Sequence, residues 1–568
     1  MASTLDTDVL VAGGGPCGLM LALELGRRGV RCLVVDRKPG TAFNPQANAT
    51  QARTMEHFRR LGLAHRVRVQ GLPADHPTDV AYHTRFAGHE LARLRLPTAA
   101  QATQAIRTMG GSWSAAELPH RVSQKFVEVV LREEAQRLDG VDLRYGWEMR
   151  TFRDTGAGVE AEVAPVGGDP PAGGREPLTV RAAWLVGADG ARSGVRAALG
   201  IEWEGATGMR RRFMGGRMMA TYLEAPDFYR LNPNGRAWMY VQVHPQQRAF
   251  IMSVDGVSEF AFPVQLPDEA DPATFTPDDA RAAFARASGL DCPIEILSMA
   301  PWLAGHALVA SRFGQGRVLL GGDAAHLFTP TGGLGYNTAV EDAVNLGWKL
   351  AAVIKGQAPP ALMGSYEAER KPLALRNTGY ARAFADSIGL FEAVPELDDD
   401  SPAGQAARAA ATPYLDGHAR REFNIPGVTF GGRYDGSPII VPDGTTTPPD
   451  EANAYTPTAC PGGRPPHAWL EEGGSPDALT SLFDRFGFEW TLLCLDDDAP
   501  TVQAAAEFVE TARALGVEMK TVSLPRADLR ALYDAPLALI RPDHIVAWRG
   551  TPGSDAQAIM RTVLGWNL

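Results

Sequence analysis

Cysteine is scarce in this chain: five residues among 568, Cys17, Cys32, Cys292, Cys460 and Cys494, with no CxxC pair. That spacing argues against a disulfide framework and a thiolate zinc site, and it fits a reducing compartment, so the expected location is cytoplasmic. Long apolar runs are lacking as well. The N-terminal apolar stretch has no basic segment ahead of it and is interrupted by Gly13, Gly14, Gly15, Pro16 and Glu24, so neither a signal peptide nor a membrane span is expected. The 12 histidines include no HExxH pair, which argues against a metal site, and no GxSxG elbow is present, which disfavours a serine hydrolase. Positive charge is in deficit, 55 Lys and Arg against 66 Asp and Glu for a formal net charge of −11, so neither nucleic acid nor an anionic membrane is an expected partner. Small molecules are.

What the chain does have is glycine in telling places. Asp8 to Ala12 reads as an apolar strand running into Gly13-Gly14-Gly15-Pro16-Cys17-Gly18, followed by a helical run and a second strand, RCLVVD, that ends at Asp36. Gly13, Gly15 and Gly18 satisfy the GxGxxG dinucleotide fingerprint, and Asp36 stands at the spacing where an acid grips a ribose hydroxyl. A later run, LLGGDAAHLFTPTGGLGYN, reads as a buried strand stopping at Gly322-Asp323, a glycine-rich turn, and a helix opening near Asn337. Such a helix start presents N–H groups and a positive dipole end to an anionic ligand atom. Between the two lies WLVGADGARSGVR, a strand end followed by Asp189-Gly190 and a basic flank.

Taken in this order, GxGxxG, DG and GD running into PTGGLGYN, the chain resembles the class A FAD-dependent aromatic hydroxylases. The tail resembles the thioredoxin-like C-terminal domain of the phenol hydroxylase relatives, through Pro461 to His467 and Arg541 to Arg549. The resemblance implies an α/β fold: a Rossmann-like FAD-binding domain interleaved with a mixed or antiparallel-sheet substrate domain, plus the thioredoxin-like α/β tail. It places the FAD-binding domain at 1–78, 115–200 and 300–352, the substrate sheet at 79–114 and 201–299, a helical region and linker at 353–440, and a tail without CxxC at 441–568. Strand-like runs at Arg211 to Leu223, Arg236 to Val243 and Ala249 to Val254 suit the inserted sheet. The Gly/Pro loop from Val166 to Pro177 reads as a surface connection. PELDDDSPAGQAARAAATP, acidic and then rich in small residues, reads as a mobile linker or lid.

The same resemblance assigns residues. Gly13, Gly15, Pro16 and Gly18 fall to the FAD pyrophosphate, Asp36 and Arg37 to the adenosine side, Gln124 (with Arg121 beside it) and Asp323, next to Gly322, to the ribityl side, and Asp189 to ordering the pyrophosphate region. Pro330, Gly333, Gly335, Tyr336 and Asn337 hold the ring, where a helix start stabilises the negative charge of reduced flavin. The implied reaction is NAD(P)H-driven hydroxylation of a phenolic or polyphenolic, polyketide-type ring with O2 by way of a flavin C4a-hydroperoxide. Epoxidation or Baeyer–Villiger insertion on the same scaffold is the alternative. One position departs from the pattern. Where several relatives carry an ionisable base beside the ring, this chain has Asn48, whose amide orients a hydroxyl but takes no proton at neutral pH; Gln46 likewise replaces an arginine. Asn48, Tyr240 and Pro330 are therefore the candidates for the catalytic end, with Trp238 expected on the same strand face as Tyr240. His326 reads as a structural hydrogen bonder, and Arg217 as solvated. With only Cys460 and Cys494, the tail lacks a vicinal dithiol and is read as serving packing or a homodimer.

Overall fold

The computed structural model describes residues 3–167, 176–207, 215–267, 269–472 and 475–568. Most of the Gly/Pro loop and the start of the strand run expected from Arg211 lie outside them.

Alternating apolar segments and helices build an eight-stranded sheet in the order Gly314–Gln315, Val318–Leu320, Leu178–Gly187, Ser3–Ala12, Cys32–Asp36 and Val141–Tyr145, extended by Trp147–Asp154 and Val159–Pro165. Its central strands are parallel. They are near-continuous Val and Leu runs because helices cover the sheet, so both strand faces are buried. Helix Pro16–Gly26 is apolar almost all round and buried from Cys17 to Leu25, wedged against helix Leu334–Ile354. The register carries the functional consequence. Ala12 pairs with Gly187, and Gly187 with Leu320, so the strands leading into the GxGxxG, DG and GD turns end side by side at one carboxyl edge. Ligands of open α/β sheets bind at that edge.

A second, seven-stranded sheet runs Glu295–Ala304, Gly216–Glu224, Glu259–Gln265, Arg248–Ser253, Met239–Val243, Val80–His83 and Glu90–Leu94, antiparallel except where Met239–Val243 pairs with Val80–His83. Period-2 alternation splits it into two faces. Tyr240, Ile251, Phe260 and Phe262 pack with Phe86, Phe228 and Phe284 into one apolar cluster. Met239, Val241, Phe250 and Met252 turn the other way.

The acidic, small-residue segment expected to be a mobile linker is instead the start of a helix, Pro402–Phe423. Ser401 accepts a hydrogen bond from the Gly404 N–H at 3.1 Å, Pro402 occupies the first turn, and an alanine-rich run has the highest helix propensity. Buried Ala411, Leu415 and Ala419 then seal that helix against the second sheet, a long-range packing that composition alone does not announce.

The tail carries a four-stranded sheet in the order Met519–Ser523, Trp490–Cys494, Leu537–Ile540, Val546–Gly550, with the first pair parallel and the rest antiparallel, and helices Ala499–Ala514, Ala527–Tyr533 and Ala556–Val563 between and after the strands. That is a thioredoxin-like order. Its signature residues are ion-paired to the rest of the chain. Arg464 donates to both Glu56 oxygens at 2.6 and 2.9 Å, and Arg541 donates to both Glu369 oxygens at the same two distances, all four side chains being fully or almost fully buried.

Candidate active site

The carboxyl edge of the first sheet and the inner face of the second enclose one continuous cavity of about 1240 Å³. A single small-molecule pocket spans roughly 300–1,000 Å³. The cavity therefore has room for a dinucleotide and a second ligand together.

One arm is a dinucleotide cradle. Gly13, at φ +115°, carries no side chain because a Cβ there would meet the Ala188 carbonyl oxygen at 2.1 Å; a Cβ on Gly18 would meet the Gly13 oxygen at 1.9 Å. The two glycines let the turn, the DG strand end and the helix close to contact distance, as a pyrophosphate turn requires. Asp36 is aimed at the cavity by accepting from the Gly14 N–H at 2.7 Å and the Lys38 N–H at 2.8 Å. Gly13, Gly15, Pro16, Asp36, Arg37, Gln124 and Asp189 all line the cavity. Gln124 donates to Glu128 at 2.7 Å, and its own N–H donates to the Ala47 carbonyl at 2.7 Å.

The residues present fit a flavin nucleotide on two observations. Asp189 uses one oxygen to accept from the Val195 N–H at 3.1 Å and leaves the other buried with no partner. The Tyr336 hydroxyl is buried beside the Thr50 hydroxyl, its one polar neighbour. Asp323 opens into the cavity and reaches solvent through it, while protein crowded around its carboxyl raises the pKa above the ordinary carboxylate value. Burial is the cause. Buried polar atoms without partners are uncommon, and the free Asp189 oxygen beside the cavity-facing Asp323 carboxylate suits a polar ligand.

The glycine turn forms the far wall. Pro330, Gly333, Gly335 and Tyr336 line the cavity. Helix Leu334–Ile354 opens there, slightly earlier than expected. Asn337 lies behind the wall as a clamp: its amide donates to the Ala49 carbonyl at 2.9 Å and accepts from the Gln51 N–H at 2.8 Å, locking the Asn48–Ala49 loop to the helix start. Gly18 and Gly322 also stay off the cavity surface, with Gly322 donating to buried Asp342 at 3.1 Å. Asp342 pairs with His326 at 2.6 Å and Arg370 at 2.7 Å, both fully buried, so His326 is structural. Pro330, Gly333, Gly335 and Tyr336 thus offer contact at the wall, whereas Asn337, Gly18 and Gly322 shape it from behind.

Beyond the turn the cavity becomes apolar, walled by Met239, Val241, Phe250, Met252, Ala300 and Trp302. Asn48 sits at the junction, its amide nitrogen 3.8 Å from the Met252 sulfur and its oxygen buried without a partner. Tyr240 is not there. Strand alternation sends it to the opposite face, where its hydroxyl donates to the Gly235 carbonyl at 2.5 Å and accepts from the Ala237 N–H at 2.8 Å among Phe86 and Phe228. Burial pushes that phenol far above its usual pKa. The expectation that Trp238 shares Tyr240's face also fails. The N–H groups of Trp238 and Met239 both donate to the Asp79 carbonyl at 3.1 Å, a local irregularity that turns Trp238 into the cavity. There it packs edge-on against Phe423, with the Arg121 guanidinium 4.5 Å over its ring. Arg217 is exposed, as its solvated reading held.

His418 and Glu422 also line this end, and neither stood out in the sequence. The signal was available as an i, i+4 pair on one helix face, just past the 395–413 segment read as a mobile linker or lid.

A dinucleotide cradle opening through a glycine turn into an apolar chamber defines a flavoprotein oxidoreductase with its substrate held in the second sheet. Residues 6–380 match the FAD binding domain family, and residues 458–566 match the aromatic-ring hydroxylase C-terminal family. The chain belongs to the FAD-dependent aromatic-ring hydroxylases: it is a monooxygenase that uses FAD, NAD(P)H and O2. It is 32% identical to aklavinone 12-hydroxylase RdmE of Streptomyces purpurascens over 98% of each chain, and 28% identical to 2,4-dichlorophenol 6-monooxygenase of Delftia acidovorans over 99% of each. Among solved structures it is similar to the rebeccamycin biosynthetic enzyme RebC with reduced flavin, at 33% identity and a TM-score of 0.86 over 99% of both chains. It is also similar to an aklavinone-11 hydroxylase complex with FAD and aklavinone, at 28% identity and a TM-score of 0.80 over 98% of this chain and 99% of that one. No helix among the described residues is long and apolar enough to cross a membrane.

Proposed function

We propose that this enzyme hydroxylates a fused polyphenolic, polyketide-type ring rather than a single small phenol. The observation that carries the reading is the cavity: about 1240 Å³, with an apolar chamber walled by Met239, Val241, Phe250, Met252, Ala300 and Trp302 beyond the nucleotide cradle. The relatives acting on aklavinone support the same size class. Bound FAD supplies hydride acceptance from NAD(P)H and the activation of O2. The chain's own residues do the rest. Asp36 and Arg37 hold the adenosine end, Gly13, Gly15 and Pro16 line the pyrophosphate turn, and Asp189 offers its free oxygen to order it. Gln124 and Asp323 hold the ribityl chain. The N–H groups opening helix Leu334–Ile354 would stabilise negative charge on a bound flavin ring, with Pro330 and Gly333 on the same cavity wall. Asn48 orients a substrate hydroxyl without taking its proton. The second sheet excludes water.

A cytoplasmic location is the reading that five free cysteines support, four of them buried and Cys292 partly so. The tail's signature arginines are engaged within the chain, which favours packing as its role; a homodimer is tested by light scattering. For the activity, purified yellow enzyme is screened with single-ring phenols and with tri- and tetracyclic polyphenols. Faster NAD(P)H consumption with one oxygen atom from O2 added to the larger rings is the expected result. Preference for single-ring phenols, or oxygen inserted into a carbon–carbon bond, overturns it.

A further inference from the structure

We propose that His418, oriented by Glu422, accepts the proton of the substrate's ring hydroxyl, the role Asn48 cannot fill. The proposal rests on the aromatic-hydroxylase reading and deepens it. His418 and Glu422 stand one turn apart on helix Pro402–Phe423, both line the cavity, and both side chains are buried. The imidazole Nε2 lies 3.1 Å from one Glu422 oxygen. The other Glu422 oxygen accepts from the Gly332 N–H at 3.0 Å. The dyad is thus fastened to the glycine turn, whose next residue, Gly333, packs so closely that a Cβ there would be 2.9 Å from the Ala49 Cβ. Dyad, glycine turn and the Asn48–Ala49 loop form one wall.

A carboxylate at Nε2 holds the imidazole proton on that nitrogen and leaves Nδ1 as a lone pair. Nδ1 is buried and has no hydrogen-bond partner. Because His418 lines the cavity, a ligand hydroxyl is the partner this unsatisfied nitrogen lacks, and a carboxylate on the other side of the ring stabilises the imidazolium that forms. The groups packed around it support the assignment. Tyr82, from strand Val80–His83, meets the imidazole edge-on at 5.9 Å, and burial holds its phenol far above its usual pKa, so it stays neutral. Arg121 stacks on Trp238 and Phe423; burial lowers it to about 10 against the pull of Glu422, so it remains a cation at neutral pH and favours a nearby phenolate. Two rivals line the same end and are engaged elsewhere. The Tyr222 phenol donates to Glu259 while Lys125 donates to it at 2.7 Å, and burial followed by Glu259 raises its pKa. His306 Nδ1 lies 2.8 Å from the Thr207 hydroxyl.

In the step, the ring O–H bond breaks, the proton moves to Nδ1, and the electron pair stays on oxygen, enriching the ring carbon that takes up the activated oxygen. When that carbon's hydrogen leaves as a proton, taken up in the water formed from the second oxygen atom of O2, aromaticity returns and the imidazolium gives its proton back to the original ring oxygen. No co-reactant beyond NAD(P)H, O2 and one proton from solvent is needed.

The test uses FAD-loaded enzyme with a neutral phenol and with a fluorinated analogue already ionised at assay pH. His418→Gln should lower kcat on the neutral phenol by roughly 10²- to 10⁴-fold, the usual worth of a positioned base, with KM moving less and the acid limb of the pH profile shifting to the substrate's own pKa. The ionised analogue should be turned over at close to the parental rate. Glu422→Gln keeps an oxygen for Gly332 but turns an amide donor to Nε2, driving the imidazole proton onto Nδ1, and should show the same substrate selectivity; it carries the test if His418→Gln loses flavin. Parental kcat and pH profile in both variants, or equal losses on both substrates, overturns the proposal. A parent enzyme that oxygenates no phenol sinks the underlying reading instead, so the two failures are distinguishable.

Discussion

Removing the Asp323 carboxylate should strip the enzyme of its flavin. Asp323 follows the strand end at Leu320 through Gly321 and Gly322, opens into the cavity, and is separated from the helix start by the turn Pro330 to Gly333. It makes no hydrogen bond of its own among the described contacts, so Asp323→Ala leaves the protein's internal bonding intact and removes only what the carboxylate offers a ligand. A hydrogen bond to a charged group contributes about 1.5–3 kcal/mol, which weakens FAD binding roughly 10- to 150-fold. The assay is titration of stripped enzyme with FAD by flavin fluorescence, with the melting temperature of the apoprotein as the control for folding. A pH arm sharpens it. Crowding by protein raises the Asp323 pKa, so acidification protonates the acceptor earlier than an ordinary carboxylate and parental FAD affinity should fall with it, while Asp323→Asn stays flat over the same window. An Asp323→Ala enzyme that retains flavin like the parent refutes the ribityl assignment, and a pH-independent parental affinity refutes the electrostatic argument.

Tyr240→Phe should lose about 1–3 kcal/mol of stability, because the Ala237 N–H and Gly235 carbonyl lose a buried partner, with kcat unchanged; a large fall in kcat without loss of stability would restore Tyr240 to the active site. Arg464→Met should cost up to about 3–5 kcal/mol by taking its bidentate partner from the buried Glu56 carboxylate and leaving it only Arg53 at 3.3 Å and the Ala116 N–H, seen as a lower melting temperature and earlier proteolysis of the tail. The same pairs set the acid limit: burial pushes Glu56 and Glu369 up, but Arg464 and Arg53 at the first, and Arg541 and Lys349 at the second, overcome it and hold both below the usual carboxylate range. Folded-state pKa values below the unfolded ones mean that this stability is complete above the ordinary carboxylate pKa and drains as pH falls below it, so Arg464→Met should flatten the acid limb of a melting-temperature profile.

Much of this molecule was legible in one dimension because its cofactor cradle is built from local rules. A glycine turn between an apolar strand and a helix leaves the same mark wherever it occurs, and three such marks in order named the fold, the cofactor and the acids that point at it. What the order could not say is which strand ends meet. That was decided by sheet register, Ala12 against Gly187 against Leu320. The apolar end was far less legible. Period-2 counting put Trp238 with Tyr240, and a single carbonyl shared by two N–H groups reversed it. Composition read 395–413 as linker, and packing of Ala411 and Leu415 on a distant sheet made it a helix that carries His418 and Glu422 to the cavity. The nucleotide arm is specified by neighbours in sequence and so survives being read alone. The substrate end is specified by contacts between segments hundreds of residues apart, whose energies exist only once the chain has closed on itself.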